Sequence, residues 1–193
     1  MRPFANRLAL ALAIVALTQT AVLAAMVLDR MRLVATGREI VLPIVPVDPR
    51  DLFRGDYVEL GYEVGRVPAR LLEGPPPSRH APCYVTLAKG QDGAWLPVKL
   101  TRDRPQEASA DHIVLRGRSR FGWWASEADT ANAVNLVRYG IEQYFVPQGE
   151  GSRLEALARD KKLAALIAVD GHGNAAIKGL MIDGRLAYEE PLL

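Results

Sequence analysis

The sequence predicts one N-terminal transmembrane helix followed by a mainly antiparallel β domain of the α+β class, with one short capped helix near the C-terminus. Three observations predict it. No charged residue lies between Arg7 and Asp29. After Thr36 the chain breaks into short Val-, Ile- and Leu-rich runs separated by glycine, proline and aspartate, the pattern of strands joined by turns. Near the end, Ser152-Arg153-Leu154-Glu155 has the spacing of a capping box, in which hydroxyl and carboxylate satisfy opposite free amides of a helix start.

The first element is Leu8 to Leu28, which at 1.5 Å per residue gives about 30 Å of helix, the thickness of a bilayer core. It is expected to contact lipid as a signal-anchor, with residues 1–7 as a short tail and 29–37 as a juxtamembrane linker. The uncharged run is longer than the apolar region of a typical signal peptide, although Val22-Leu23-Ala24 has the small-residue look of a cleavage site. A cleaved signal and a buried soluble helix are the competing readings. Thr18, Gln19 and Thr20 place a polar notch near the middle, either a contact for another helix or polar groups satisfied by the backbone. Arg2 and Arg7 face Arg30, Arg32 and Arg38 across the segment, so the positive-inside rule does not set the orientation. The layout of a short tail before one span favours the domain, residues 38–193, on the periplasmic side of the inner membrane.

Composition narrows the function classes. The 193 residues are 49% hydrophobic and 24% charged, as expected of one globular domain with an appendage. Arg2 and Arg7 precede any acid, so of the 24 basic and 22 acidic side chains the rest of the chain holds equal numbers. A balanced domain has no global field for a phosphate backbone, which argues against nucleic acid as a partner. Cys83 is the single cysteine, and no Cys/His spacing resembles a zinc site. No cofactor is expected.

Within the domain, Arg38 to Val47 carries Pro43 and Pro46 and suits an edge or bulged strand. Glu73 to Pro82 is Pro-rich and reads as an exposed loop. Further strands are expected at Tyr84–Ala88, Ala94–Leu100, His112–Arg118 and Ala133–Tyr139, with a turn at Gly90-Gln91-Asp92-Gly93. After Ser152 the stripe of Leu154, Leu157 and Ala158 gives a docking helix of about two turns, ending in Arg159, Lys161 and Lys162 where the dipole favours cations. A hairpin then pairs Leu163–Val169 with Ala175–Ile182 around Asp170-Gly171-His172-Gly173-Asn174, closed by Asp183-Gly184.

Between the first strand and the loop lies the densest charge in the chain. Asp48-Pro49-Arg50-Asp51 can start one helical turn and Gly55 can stop it. From Asp56 the period is two: Val58, Leu60, Tyr62 and Val64 share a core face, and Tyr57, Glu59, Gly61 and Glu63 a wet one. Gly55-Asp56-Tyr57-Val58-Glu59-Leu60-Gly61-Tyr62 resembles, at each fixed position, the motif that gives the GDYXXLXY family its name. Tyr139 to Pro147 with Gly149 and Gly151, and Ile177-Lys178-Gly179-Leu180, are similar to that family as well. The resemblance implies a bacterial membrane-anchored protein without an established activity, in a family some of whose members associate with polytopic membrane proteins.

Several groups invite chemical readings. Asp48, Asp51 and Asp56 have the oxygen donors of a hard-cation site, but Arg50 and Arg54 among them favour a salt-bridged turn, and no metal is expected. A Gly-Asp turn before a strand, behind an anchor, is also similar to bacterial signal peptidases. Their serine–lysine chemistry needs a serine nucleophile close to the membrane; no serine precedes Ser78, so Lys89 and Lys99 lack that upstream partner and the dyad is not expected. His80, His112 and His172 are scattered and read as surface histidines. Lys178 alternates with Ala176, Leu180 and Ile182, which suggests a guarded edge, a pair with a carboxylate, or a ligand pocket. Phe121, Trp123 and Trp124 form the densest aromatic cluster, with one face for the core and the other for headgroups or a partner. The expected function is a binding module for a polytopic membrane partner, with Gly55, Asp56, Tyr57, Leu60, Tyr62 and Lys178 as candidate contact residues. The rival is an enzyme using the carboxylates of Asp48–Asp56 together with Lys178.

Overall fold

The computed structural model describes residues 2–46, 57–105, 111–120, 133–147 and 149–189. A single helix, α1 (Arg2–Thr36), precedes all strands. Then come β1 (Arg38–Val45), β2 (Tyr57–Glu59), β3 (Gly61–Tyr62), β4 (Arg66–Pro68), β5 (Leu72–Glu73), β6 (Pro82–Lys89), β7 (Trp95–Thr101), β8 (His112–Ser119), β9 (Val134–Arg138) and β10 (Gln143–Phe145). The short helix α2 (Gly151–Arg159) leads into β11 (Leu163–Val169), β12 (Ala175–Ile182) and β13 (Arg185–Glu189).

The strands form a five-stranded sheet, β13-β12-β11-β1-β3, a six-stranded sheet, β4-β9-β8-β6-β7-β5, and a ribbon of β10 with β2. Pairing is antiparallel except between β5 and β7. One core joins the sheets. Ile40, Leu42 and Ile44 of β1 alternate inward, as do Leu163, Ala165 and Ile167 of β11, against Cys83, Val85 and Leu87 of β6 and Leu115 of β8. The predicted mainly antiparallel body with one short C-terminal helix is therefore present.

The segment 10–36 is long and apolar enough to cross a membrane, with a mean hydropathy of 2.2 in an 18-residue stretch of it. Thr18 satisfies its hydroxyl within the helix by donating to the Ile14 carbonyl at 2.8 Å. Where a linker was expected over 29–37, the helix continues to Thr36 and only Gly37 separates it from β1. Leu33 and Val34 pack on Ala176 of β12, and the Arg30 guanidinium donates to the Ala175 carbonyl at 3.1 Å. The extra turns are helical because they have a sheet to lie on. A Cβ at Gly37 would stand 2.5 Å from the Leu33 carbonyl oxygen.

Four local expectations change. The capping box does not form: α2 begins at Gly151, before Ser152, and Glu150 precedes it without a side-chain cap. Positive φ at Gly149 turns the chain into the helix early, and the Glu150 carboxylate instead accepts from Arg153 at 2.8 Å and from the Tyr188 hydroxyl at 2.6 Å. Second, the motif strand is not continuous but divides between β2, β3 and a 3-10 turn at Glu63–Gly65. Third, the loop from Glu73 to Pro82 is not wholly exposed, since Pro77 is fully buried. Fourth, the expected edge or bulged strand is not found, since β1 runs between β11 and β3; Pro43 is tolerated because β3 covers only Ile44 and Val45, which leaves Pro43 paired with β11 alone.

Candidate functional site

The motif segment is a structural seam. β2 pairs with β10, β3 pairs with β1, and β4 pairs with β9, so residues 57–68 touch all three sheets in turn. Val58, Leu60, Tyr62 and Val64 are buried as the period of two requires, while Glu59 and Glu63 are exposed. At the change of partner the Leu60 amide donates to the Glu142 carbonyl at 2.8 Å. The Tyr62 hydroxyl donates to the Ile141 carbonyl at 2.8 Å and the Tyr139 hydroxyl to the Val64 carbonyl at 2.7 Å. Each segment thus lends the other one phenol. Burial, with Glu142 adding, pushes the Tyr62 phenol far above its ordinary range, and burial with Cys83 and Glu142 does the same to Tyr139. Both remain neutral donors at any ordinary pH.

Glu142 holds the turn beneath this seam. Its two carboxylate oxygens accept from the Tyr139 amide at 2.6 Å and the Gly140 amide at 3.0 Å. Gly140 has φ +81°, a conformation glycine adopts without strain.

The other predicted site residues part company. Gly55 and Asp56 lie outside the described residues, as do Asp48, Asp51, Phe121, Trp123 and Trp124. Tyr57 is the cross-strand partner of Phe145, which is 77% exposed. Leu60 and Tyr62 belong to the core. Lys178 lies in the other sheet, and the guarded-edge reading fails because β12 runs between β11 and β13. Leu166 pairs with Gly179 and Ile167 with Ile177, so Lys178 is the extra residue of a bulge. The bulge lets both Ile177 and Leu180 reach the core, which takes Lys178 off the Leu180 face. Its ammonium meets Glu39 at 2.6 Å, a half-exposed pair. Glu39 and Ile44, the partner of Tyr62, are about 17 Å apart along β1, so Lys178 and the motif are separate features. Among the described residues no group of three His, Cys, Asp or Glu side chains could hold a metal.

Among the described residues, two of the clefts on the surface lie near the helix foot and the motif seam. One, of about 420 Å³, lies at the foot of α1 between Thr36–Arg38, Arg104, His112 and the turn after Val169. Arg38 there donates to the His112 carbonyl at 3.2 Å and stacks on Trp95 at 5.6 Å. The larger, of about 710 Å³, crosses β8 and β9 and borders the Tyr139–Gln143 turn. Arg116, Arg118, Arg120 and Arg138 line it, with Glu142 as the one carboxylate among the described lining residues. Lys178 lines neither. Sequence reasoning missed this basic cleft, although Arg116-Gly117-Arg118-Ser119-Arg120 carries the signal, since a period of two puts three guanidinium groups on one strand face.

These features define a β-rich body seated on the end of one long apolar helix, with a tyrosine-stitched seam joining its sheets. The family profile described as GDYXXLXY protein matches residues 19–180, and the chain belongs to that family. No curated protein and no solved structure matches the chain.

Proposed function

We propose that the protein is a single-pass binding module of the inner membrane: α1 crosses the bilayer, the body lies on the periplasmic side, and the β2–β10 ribbon docks a polytopic membrane protein. The observation that carries this reading is Phe145, 77% exposed in the position opposite Tyr57. A large aromatic that is mostly exposed on a strand offers apolar surface to a partner, which supports the reading. A protein of the same bilayer is the occupant this reading favours, because α1 reaches β1 through Gly37 alone and so tethers the body closely to the helix. Supporting it further, the motif's inward side chains are already committed to the core, so its outward positions are the ones left for contact.

A photo-crosslinker placed at position 57 or 145 in native membranes tests the reading. One multispan protein is expected from both positions, reduced by F145D when the label is at 57, and absent from a label at Leu96, an exposed position on β7. No specific adduct from either ribbon position, or the same adduct from Leu96, would overturn it.

A further inference from the structure

We propose that the cleft over β8 and β9 is a binding site for a phosphate-bearing anion, gripped by Arg116, Arg118 and Arg138. The inference is independent of the partner reading above. The guanidinium groups of Arg116, Arg118 and Arg138 meet one carboxylate among the described lining residues, and that carboxylate, Glu142, already accepts two backbone amides. The excess is local: beyond Arg7 the chain has equal numbers of acidic and basic side chains, so the cleft is not a sample of a generally basic surface.

The register sharpens the argument. Arg118 and Arg138 are directly opposite each other across β8 and β9, and like charges in that arrangement destabilise a sheet unless something neutralises them. The acids available to Arg138 are Glu59 at 3.4 Å and Glu142 at 3.9 Å, long contacts on a half-exposed side chain, which contribute little. Arg118 donates to the His80 carbonyl at 3.3 Å, and no carboxylate among the described residues pairs with Arg116. Between these cations the residues point inward by necessity. Gly117 has no room for a Cβ against Val137 and the Arg138 carbonyl, and Ser119 is fully buried. The second half of β8 therefore presents arginine at both of its outward positions, Arg116 and Arg118.

Arginine is the informative choice. Its planar fork donates two parallel hydrogen bonds to phosphate oxygens, which an ammonium does not. A cleft of about 710 Å³ has the volume of a small-ligand site. His80 and Asn174 also line it, and His80 is held at φ +59° while its amide donates to the Ser119 carbonyl at 2.8 Å. Phosphate chemistry has two sources beside a membrane, a soluble phosphoester and the headgroup of an anionic lipid. The cleft suits both, since Arg116 lies about 13 Å along β8 from His112, whose carbonyl is bonded to Arg38 at the foot of α1.

The test uses the full chain in neutral detergent and in nanodiscs. Calorimetric titration with pyrophosphate is expected to give saturable binding that weakens about tenfold or more in R118Q/R138Q, and to remain unchanged in R70Q, an exposed arginine outside the cleft. Because the double variant removes a like-charge pair, its melting temperature is expected to equal or exceed that of the parent, which separates lost binding from lost folding. In nanodiscs containing phosphatidylglycerol, ³¹P NMR lines broadened by the parent chain and not by R118Q/R138Q identify the headgroup as the source. Pyrophosphate binding without that broadening identifies a soluble phosphoester. Neither response from the parent chain, or equal loss in R70Q, would overturn the site.

Discussion

Tyr62 and Tyr139 are core residues whose one polar atom each is spent on a backbone carbonyl of the opposite segment. Replacing Tyr62 with Phe keeps the ring and leaves the Ile141 carbonyl without that donor, so a loss of about 1–3 kcal/mol is expected by urea denaturation. The same change at Tyr139 should cost as much, and a double-mutant cycle should show coupling, since the two bonds share one turn. Asp170 is a second residue with a defined duty. Burial raises its carboxyl pKa, but hydrogen bonds from the Asn174 side chain and amide and from the His172 amide outweigh this and hold it below its ordinary value. A depressed carboxylate stabilises above its unfolded pKa and loses that contribution as pH falls through the folded one. The stability difference between parent and D170A should therefore be constant above about pH 5 and shrink below about pH 4, as measured by thermal melts across that range.

At the scale of elements, periodicity and turn chemistry made most strands legible. Leu163–Val169 and Ala175–Ile182 are strands with the bounds read from the sequence, because β-branched and leucine runs flank an Asp-Gly turn whose geometry is local. What escaped was set by partners distant in sequence. β13 follows Asp183-Gly184, both at positive φ, a two-residue hairpin turn, yet its own burial pattern is exposed throughout except Tyr188 and so carries little apolar signal. The change of partner at Leu60 depends on Glu142, far away in the chain. Of the candidate site, the core face of the motif was readable from alternation, whereas the bulge at Lys178 was not, since a bulge is a register event between two strands. The arginine cleft was half readable: β8 shows Arg116 and Arg118 on one face, but only the pairing of Arg118 with Arg138 gathers the cations into a site. For α2, Leu154 is 1% exposed, so L154A should cost about 2–4 kcal/mol, with S152A near neutral because Ser152 is exposed within the helix and caps nothing. Equal losses from the two, by chemical denaturation, would restore the capping reading.

For the whole molecule, the membrane reading predicts that alkaline carbonate leaves the intact chain in the vesicle pellet, and that protease added outside spheroplasts removes the body. Recovery in the supernatant would exclude a spanning helix, and protection from protease would place the body on the other side. One further consequence lies in the junction at Gly37. The stem enters the first strand with no hinge, and its final turn is clamped by Leu33, Val34 and Arg30. Such a junction couples the body to its stem, so the bearing of the ribbon relative to each face of the helix is set by helical phase. Where the partner also holds the apolar span, inserting one alanine there, well before Asp29, should turn the body by about 100° relative to the preceding helix and abolish crosslinking from position 57, while four alanines, about 40° past a full turn, should largely bring it back.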